Sequence, residues 1–162
     1  MNKFPLLTMA LSLFLMVSSC SVTKTERVAR NTIDGNWTLS SITYDRSGMF
    51  EVKLFNDVTA ECLENTHWFF RSNNSTGTYE VTKNGCDPGI RYVRWAAVET
   101  AKGSGLYDFT MKFTDERKKD LDKNRGYRMQ LKYLDDNTMQ LSYTVMFEGS
   151  PFVITMNFSR KI

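Results

Sequence analysis

Histidine is almost absent from this chain. His67 is the single one among 162 residues, so a multi-histidine metal site is excluded and acid–base catalysis loses its commonest group. Proline (three) and glycine (nine) are sparse while hydrophobic residues reach 41%, which excludes collagen-like repeats and a disordered chain. Neither sign of charge dominates. The 21 basic and 18 acidic residues leave +3, too balanced for a nucleic-acid partner. Cysteine is limited to three, without the Cys-x-x-Cys spacing of a redox pair. No Gly-x-Ser-x-Gly elbow accompanies His67, so nucleophilic catalysis has no frame. No catalytic residue, metal ligand or cofactor is assigned, and a non-enzymatic role is expected. The length is that of one domain.

The one long apolar run stands at the start. Met1-Asn2-Lys3 is a basic opening, and Phe4 to Val17 is apolar but for Pro5, Thr8 and Ser12. As a helix the run spans about 21 Å, short of the roughly 30 Å hydrocarbon core. It reads as a signal-peptide core rather than a membrane span. Val17-Ser18-Ser19-Cys20 follows and resembles the lipobox of bacterial lipoproteins. The resemblance implies cleavage after residue 19 and a lipidated Cys20 that anchors the chain in a membrane. Ordinary secretion with cleavage near Ser19 is the alternative. Ser21 stands where an aspartate would resemble an inner-membrane retention signal, which implies the periplasmic face of an outer membrane. The expected organisation is signal peptide 1–19, lipidated cysteine and tether 20–33, and one domain over 34–162. Residues 21–33 lack a sustained apolar stripe and are read as a tether reaching about 43–47 Å.

With Cys20 acylated, Cys62 and Cys86 remain. An even remainder in an exported domain is most simply a disulfide, two separate buried thiols being the alternative. Leu54, Phe55, Val58 and Cys62 recur at helical spacing, so a short helix is expected near residues 53–64. Cys86 lies among the turn formers Asn84-Gly85-Cys86-Asp87-Pro88-Gly89.

Beyond residue 36 the period changes to two. Tyr107, Phe109, Met111 and Phe113 alternate with polar residues, and so do Tyr127, Met129, Leu131 and Tyr133. The same pattern runs from Met139 to Phe147 and from Phe152 to Phe158. Weaker strands are read at 36–44, 66–72, 77–83 and 91–99, with another near Phe50. Eight or nine consecutive strands with short links predict an all-β fold, an up-and-down antiparallel barrel. A two-sheet sandwich is the alternative. Residues 115–126 carry nine charges in twelve positions and read as a solvated hairpin loop leaning toward phospholipid headgroups. Asp120-x-Asp122-x-Asn124 imitates a calcium loop, but Arg125 replaces its turn glycine and no glutamate closes it.

Gly35-Asn36-Trp37 at the head of the first strand resembles the Gly-x-Trp signature of lipocalins. Together with Cys62, Cys86 and His67-Trp68-Phe69-Phe70 it is similar to the bacterial lipocalin-like lipoproteins, over about residues 33 to 162. The resemblance implies a barrel that binds a small apolar ligand. It also implies an arginine at the barrel's end packed across the tryptophan. Arg160 shares the phase of Phe152, Ile154, Met156 and Phe158 and ends the strand beside Trp37, so its guanidinium is expected over that indole. A solvated arginine next to Lys161 is the alternative.

If the interior holds a cavity, Tyr107, Met111, Met129, Tyr143 and Met156 are expected to line it, each on the apolar phase of its strand. A core filled by its own side chains is the alternative, since eight strands leave just that much room. Two functions follow. One is a lipid-anchored envelope carrier of a small apolar ligand, acting as a monomer. The other is a ligandless interaction module, an assembly partner or a hydrolase inhibitor.

Overall fold

A strand that alternates apolar and polar residues must bury one face, and eight strands here bury theirs by closing on themselves. The structure is a computed structural model that describes residues 22–161; Cys20 and the residues before it lie outside that range. In chain order the elements are α1 (Lys24–Ile33), β1 (Gly35–Tyr44), β2 (Lys53–Leu54), β3 (Val58–Thr59), α2 (Ala60–Leu63), β4 (His67–Arg71), β5 (Thr76–Val81), β6 (Gly89–Glu99), β7 (Tyr107–Thr114), β8 (Tyr127–Leu134), β9 (Thr138–Phe147) and β10 (Ser150–Arg160). Strands β4 to β10 pair antiparallel in sequence, and β1 pairs with both β4 and β10 to close the barrel. The strand read near Phe50 does not form. That ring packs instead on Tyr44 and Phe152 from the connection after β1.

The inward phases meet in register: Trp37 opposite Trp68 and Arg160, Phe109 opposite Met129, Met156 opposite Leu141. Aromatic rings fill the space between them. Trp68 stacks on Tyr79 at 4.2 Å, Trp95 on Phe109 at 5.7 Å, and Phe70 meets both Trp95 and Phe109 edge-on. Gly77 sits on the inward phase among them. A Cβ there would lie 2.7 Å from the Phe69 carbonyl and 3.1 Å from Phe70, so the strand leaves its side chain out to make room for the ring.

Two expectations need correction. The tether read over 20–33 is mostly helix. Thr23 caps α1, its hydroxyl accepting from the Glu26 amide while the Glu26 carboxylate accepts from the Thr23 amide. This reciprocal box satisfies two amides that a helix start otherwise leaves open. Ala29 and Ile33 supply a narrow buried face, and the Ile33 carbonyl accepts from the Trp37 indole at 2.8 Å. The helix expected over 53–64 survives only as the single turn α2. Its first half is a two-pair ribbon, β2 on β3, because Phe55 and Asn56 take φ of 56° and 53°. Left-handed backbone at consecutive residues makes a hairpin turn and ends any right-handed helix.

The barrel therefore has two unlike ends. Helix α1 lies across the end where β1 begins, beside the turns after β4, β6 and β8. The β2–β3 ribbon lies across the other end, beside the connections after β5, β7 and β9.

Candidate functional site

The α1 end is sealed by charge on an aromatic face. The Arg160 guanidinium carbon stands 4.2 Å from the Trp37 ring centroid. Its Nη1 donates to the Asp34 carbonyl at 2.9 Å, Nη2 to that of Thr32 and Nε to that of Asp136. The guanidinium thus meets the two backbone carbonyls at the C-terminal end of α1, where the helix dipole is negative. The glycine before the tryptophan has a reason here. Gly35 has φ of 114°, and a Cβ would fall 2.9 Å from Arg160 Nη1.

The ribbon end is built differently. Phe55 drops its ring into the barrel mouth against Tyr127, Tyr143 and Phe113, at centroid distances of 5.3, 6.0 and 6.5 Å. It is 3% exposed although its backbone is left-handed, which costs a non-glycine residue on the order of 1 kcal/mol. Burying the ring offsets that strain. Polar contacts ring the stopper. The Tyr127 hydroxyl donates to the Phe55 carbonyl at 2.6 Å and accepts from Asn56 Nδ2 at 3.3 Å. Asp57 accepts from the Tyr79 hydroxyl at 2.5 Å and from Arg91 Nε and Nη2 at 3.2 Å. Arg91 also reaches Asp87 at 2.8 Å.

Three of the wall groups are shifted from their ordinary values. Burial, then the hydrogen bond and charge of Asp57, push the Tyr79 hydroxyl far above its ordinary range. Burial pulls on the Arg91 guanidinium, but Asp57 outweighs it and holds the group above its ordinary value. Burial, then the neighbouring Tyr127, raise Tyr143. The ribbon is thus held by the neutral Tyr79 phenol and by the Arg91 guanidinium, which pairs with both Asp57 and Asp87.

Cys62 and Cys86 are bonded, with Cα atoms 5.8 Å apart. The bridge ties α2, just after the ribbon, to the β5–β6 connection beside Asp87. The ribbon's base is thereby fixed covalently while its tip rests on side-chain contacts. Beside the tip a groove of about 560 Å³ opens between Phe55, Ile90, Phe113, Leu121 and Arg125.

The five residues expected to line one cavity do not share one. Met111, Met129 and Met156 are buried in the packed core. Tyr107 lines an outer groove beneath α1, and of the five Tyr143 touches the stopper. Strand phase tells which side chains point inward, but not that Trp68, Phe70 and Trp95 fill the facing volume. Of the stopper and its ring, the sequence marks Phe55 and Tyr127 only as apolar positions of a helix and a strand, and assigns no role to Asp57, Tyr79 or Arg91. Arg91 carried a signal: it is a charge on the inward phase of Val93, Trp95 and Ala97.

No protein-family model matches the chain, and no curated protein does. Two solved structures are similar to it. One is a lipocalin-like protein from Bacteroides uniformis, 11% identical, covering 80% of this chain and 99% of its own, with a TM-score of 0.46. The other is lobster apocrustacyanin A1, 13% identical, covering 84% of this chain and 64% of its own, with a TM-score of 0.41.

Proposed function

We propose that this protein is an envelope lipoprotein, anchored through Cys20, whose lipocalin-like barrel takes up a small apolar ligand at the ribbon-covered end. The basic opening, apolar run and Val17-Ser18-Ser19-Cys20 support the anchor and a place on the periplasmic face of an outer membrane. One observation carries the binding reading. The mouth is filled by Phe55, a residue from outside the barrel wall, held in left-handed backbone on a ribbon of two residue pairs. Withdrawing it exposes Tyr127, Tyr143 and Phe113, an aromatic surface suited to a flat or branched apolar molecule. Ring contacts, the buried Leu54 and Val58 beside Phe55, a few hydrogen bonds and the Asp57–Arg91 pair oppose withdrawal, so the ligand must bind the open mouth better than the closed one by at least their sum.

The packed lower half, with Met129 and Met156 buried, favours a second reading as a ligandless interaction module. Native mass spectrometry of protein purified from its own envelope separates them. The first reading expects an added mass of a small apolar compound beside the acyl chains on Cys20. Protein that carries acyl chains alone, in repeated preparations, speaks for the second.

A further inference from the structure

The helix that replaces the expected tether leaves three residues, 21–23, between Cys20 and the start of α1. Fully extended they reach about 10 Å, comparable to the Debye length near physiological salt. An anchor at Cys20 therefore holds the α1 end of the barrel close to the lipid surface. The composition of that end fits the neighbour. Val22, Val28, Leu106 and Tyr133 are exposed by 45, 59, 64 and 48%. Val28 and Tyr133 flank a groove of about 550 Å³ whose rim includes Lys24 and Lys132, and whose wall includes Gly105 next to Leu106.

Charge on this face is asymmetric in use. Among the described residues Lys24, Arg27, Lys102 and Lys132 form no ion pair. Most carboxylates of the same end already accept hydrogen bonds. Glu26 accepts from the Thr23 and Glu99 amides, Glu99 from Thr25 and the Gly105 amide, and Asp34 from the Ser72 amide. Asp135 accepts from Tyr133 and the amides of Asn137 and Thr138. Asp136 offers its carbonyl to Arg160 and leaves its carboxylate to solvent.

We propose that the α1 face, with Val28, Leu106 and Tyr133 at its centre and Lys24, Arg27, Lys102 and Lys132 around them, docks on an anionic phospholipid surface and turns the ribbon-covered mouth away from the membrane. The proposal rests on the Cys20 anchor. Apolar side chains enter the headgroup boundary while lysines meet phosphates, the two contributions that bind an interfacial surface. The charged 115–126 loop lies at the far end, so the headgroup contact expected of it passes to α1. A ligand then enters from the aqueous side and not from the bilayer.

The test uses the full lipidated chain in phosphatidylethanolamine–phosphatidylglycerol vesicles. Val28→Cys, Leu106→Cys and Met146→Cys each present one free thiol for an environment-sensitive fluorophore, since Cys62 and Cys86 are bonded. Labels at 28 and 106 are expected to shift to the blue and to be quenched by spin-labelled lipid, while the label at 146, on the opposite end, stays water-like. Lys24→Glu with Lys102→Glu and Lys132→Glu is expected to bring quenching at 28 down to the level at 146. Mass analysis of the N-terminal peptide is read alongside. Acyl chains on Cys20 with water-like labels at 28 and 106 overturn the docking alone. An unmodified Cys20 overturns the anchor and the docking together.

Discussion

Replacing Arg160 by alanine removes the closure of the α1 end in one step. The guanidinium lies 4.2 Å from the Trp37 ring and donates to three backbone carbonyls, two of them at the end of α1. A cation–aromatic contact that is only partly desolvated contributes about 1–2 kcal/mol. Hydrogen bonds from a charged donor add about 1.5 kcal/mol each, discounted here because Arg160 is half-exposed and water replaces part of the loss. A net cost of about 3 kcal/mol is expected, and for a domain of this size that is about 6–12 °C in Tm. Lysine keeps the charge but not the fork of donors, so Arg160→Lys should recover less than half. Thermal and urea unfolding measure the loss. Hydrogen exchange locates it, with the Asp34 and Trp37 amides and the indole N–H gaining exchange before the ribbon does. A loss below about 0.5 kcal/mol, the range of ordinary surface substitutions, would mean that Arg160 does not hold this end closed.

Three further outcomes are expected. Replacing Cys62 and Cys86 together by alanine opens a loop of 24 residues' separation and should lower stability by about 3.5 kcal/mol, read in urea; unchanged midpoints would show the unfolded chain is not loosened. Gly77→Val should cost about 1–3 kcal/mol by overpacking, because its Cβ would meet the Phe69 carbonyl at 2.7 Å; a neutral variant would mean Phe70 has room to move. Stability should fall above about pH 10, since raised pKa values of Tyr79 and Tyr143 keep those phenols neutral in the fold while unfolded tyrosines ionise. Tyrosinate absorbance follows this, and simultaneous titration of all seven tyrosines near the ordinary value would contradict it.

The barrel was legible because alternation is a local signal. Tyr107 to Phe113 or Phe152 to Phe158 bury one face wherever they are placed, and antiparallel order then sets Trp37 beside Arg160. Helix α1 was not legible through apolar periodicity because only Ala29 and Ile33 are buried. Its support is the Thr23–Glu26 box and polar hooks, Arg30 to Ser72 and Ser75, Glu26 to Glu99. The Thr-x-x-Glu spacing was the available sign. The ribbon was misread as helix because Phe55 and Asn56 adopt left-handed backbone without a glycine to announce it. The candidate site is tertiary: Asp57 and Arg91 meet across 34 positions, and no spacing rule connects them.

In the proposed carrier Phe55 stoppers a binding space, and Phe55→Gly removes that stopper alone. Glycine suits φ of 56°, so the ring is lost with less strain than in an alanine variant. Titration with an apolar fluorescent dye, with circular dichroism to verify the fold, is the measurement. Saturable dye binding at one site is expected in the variant, at least tenfold tighter than in the parent chain, and suppressed by Tyr143→Trp in the same background. A folded Phe55→Gly chain that binds no more dye than its parent would contradict it.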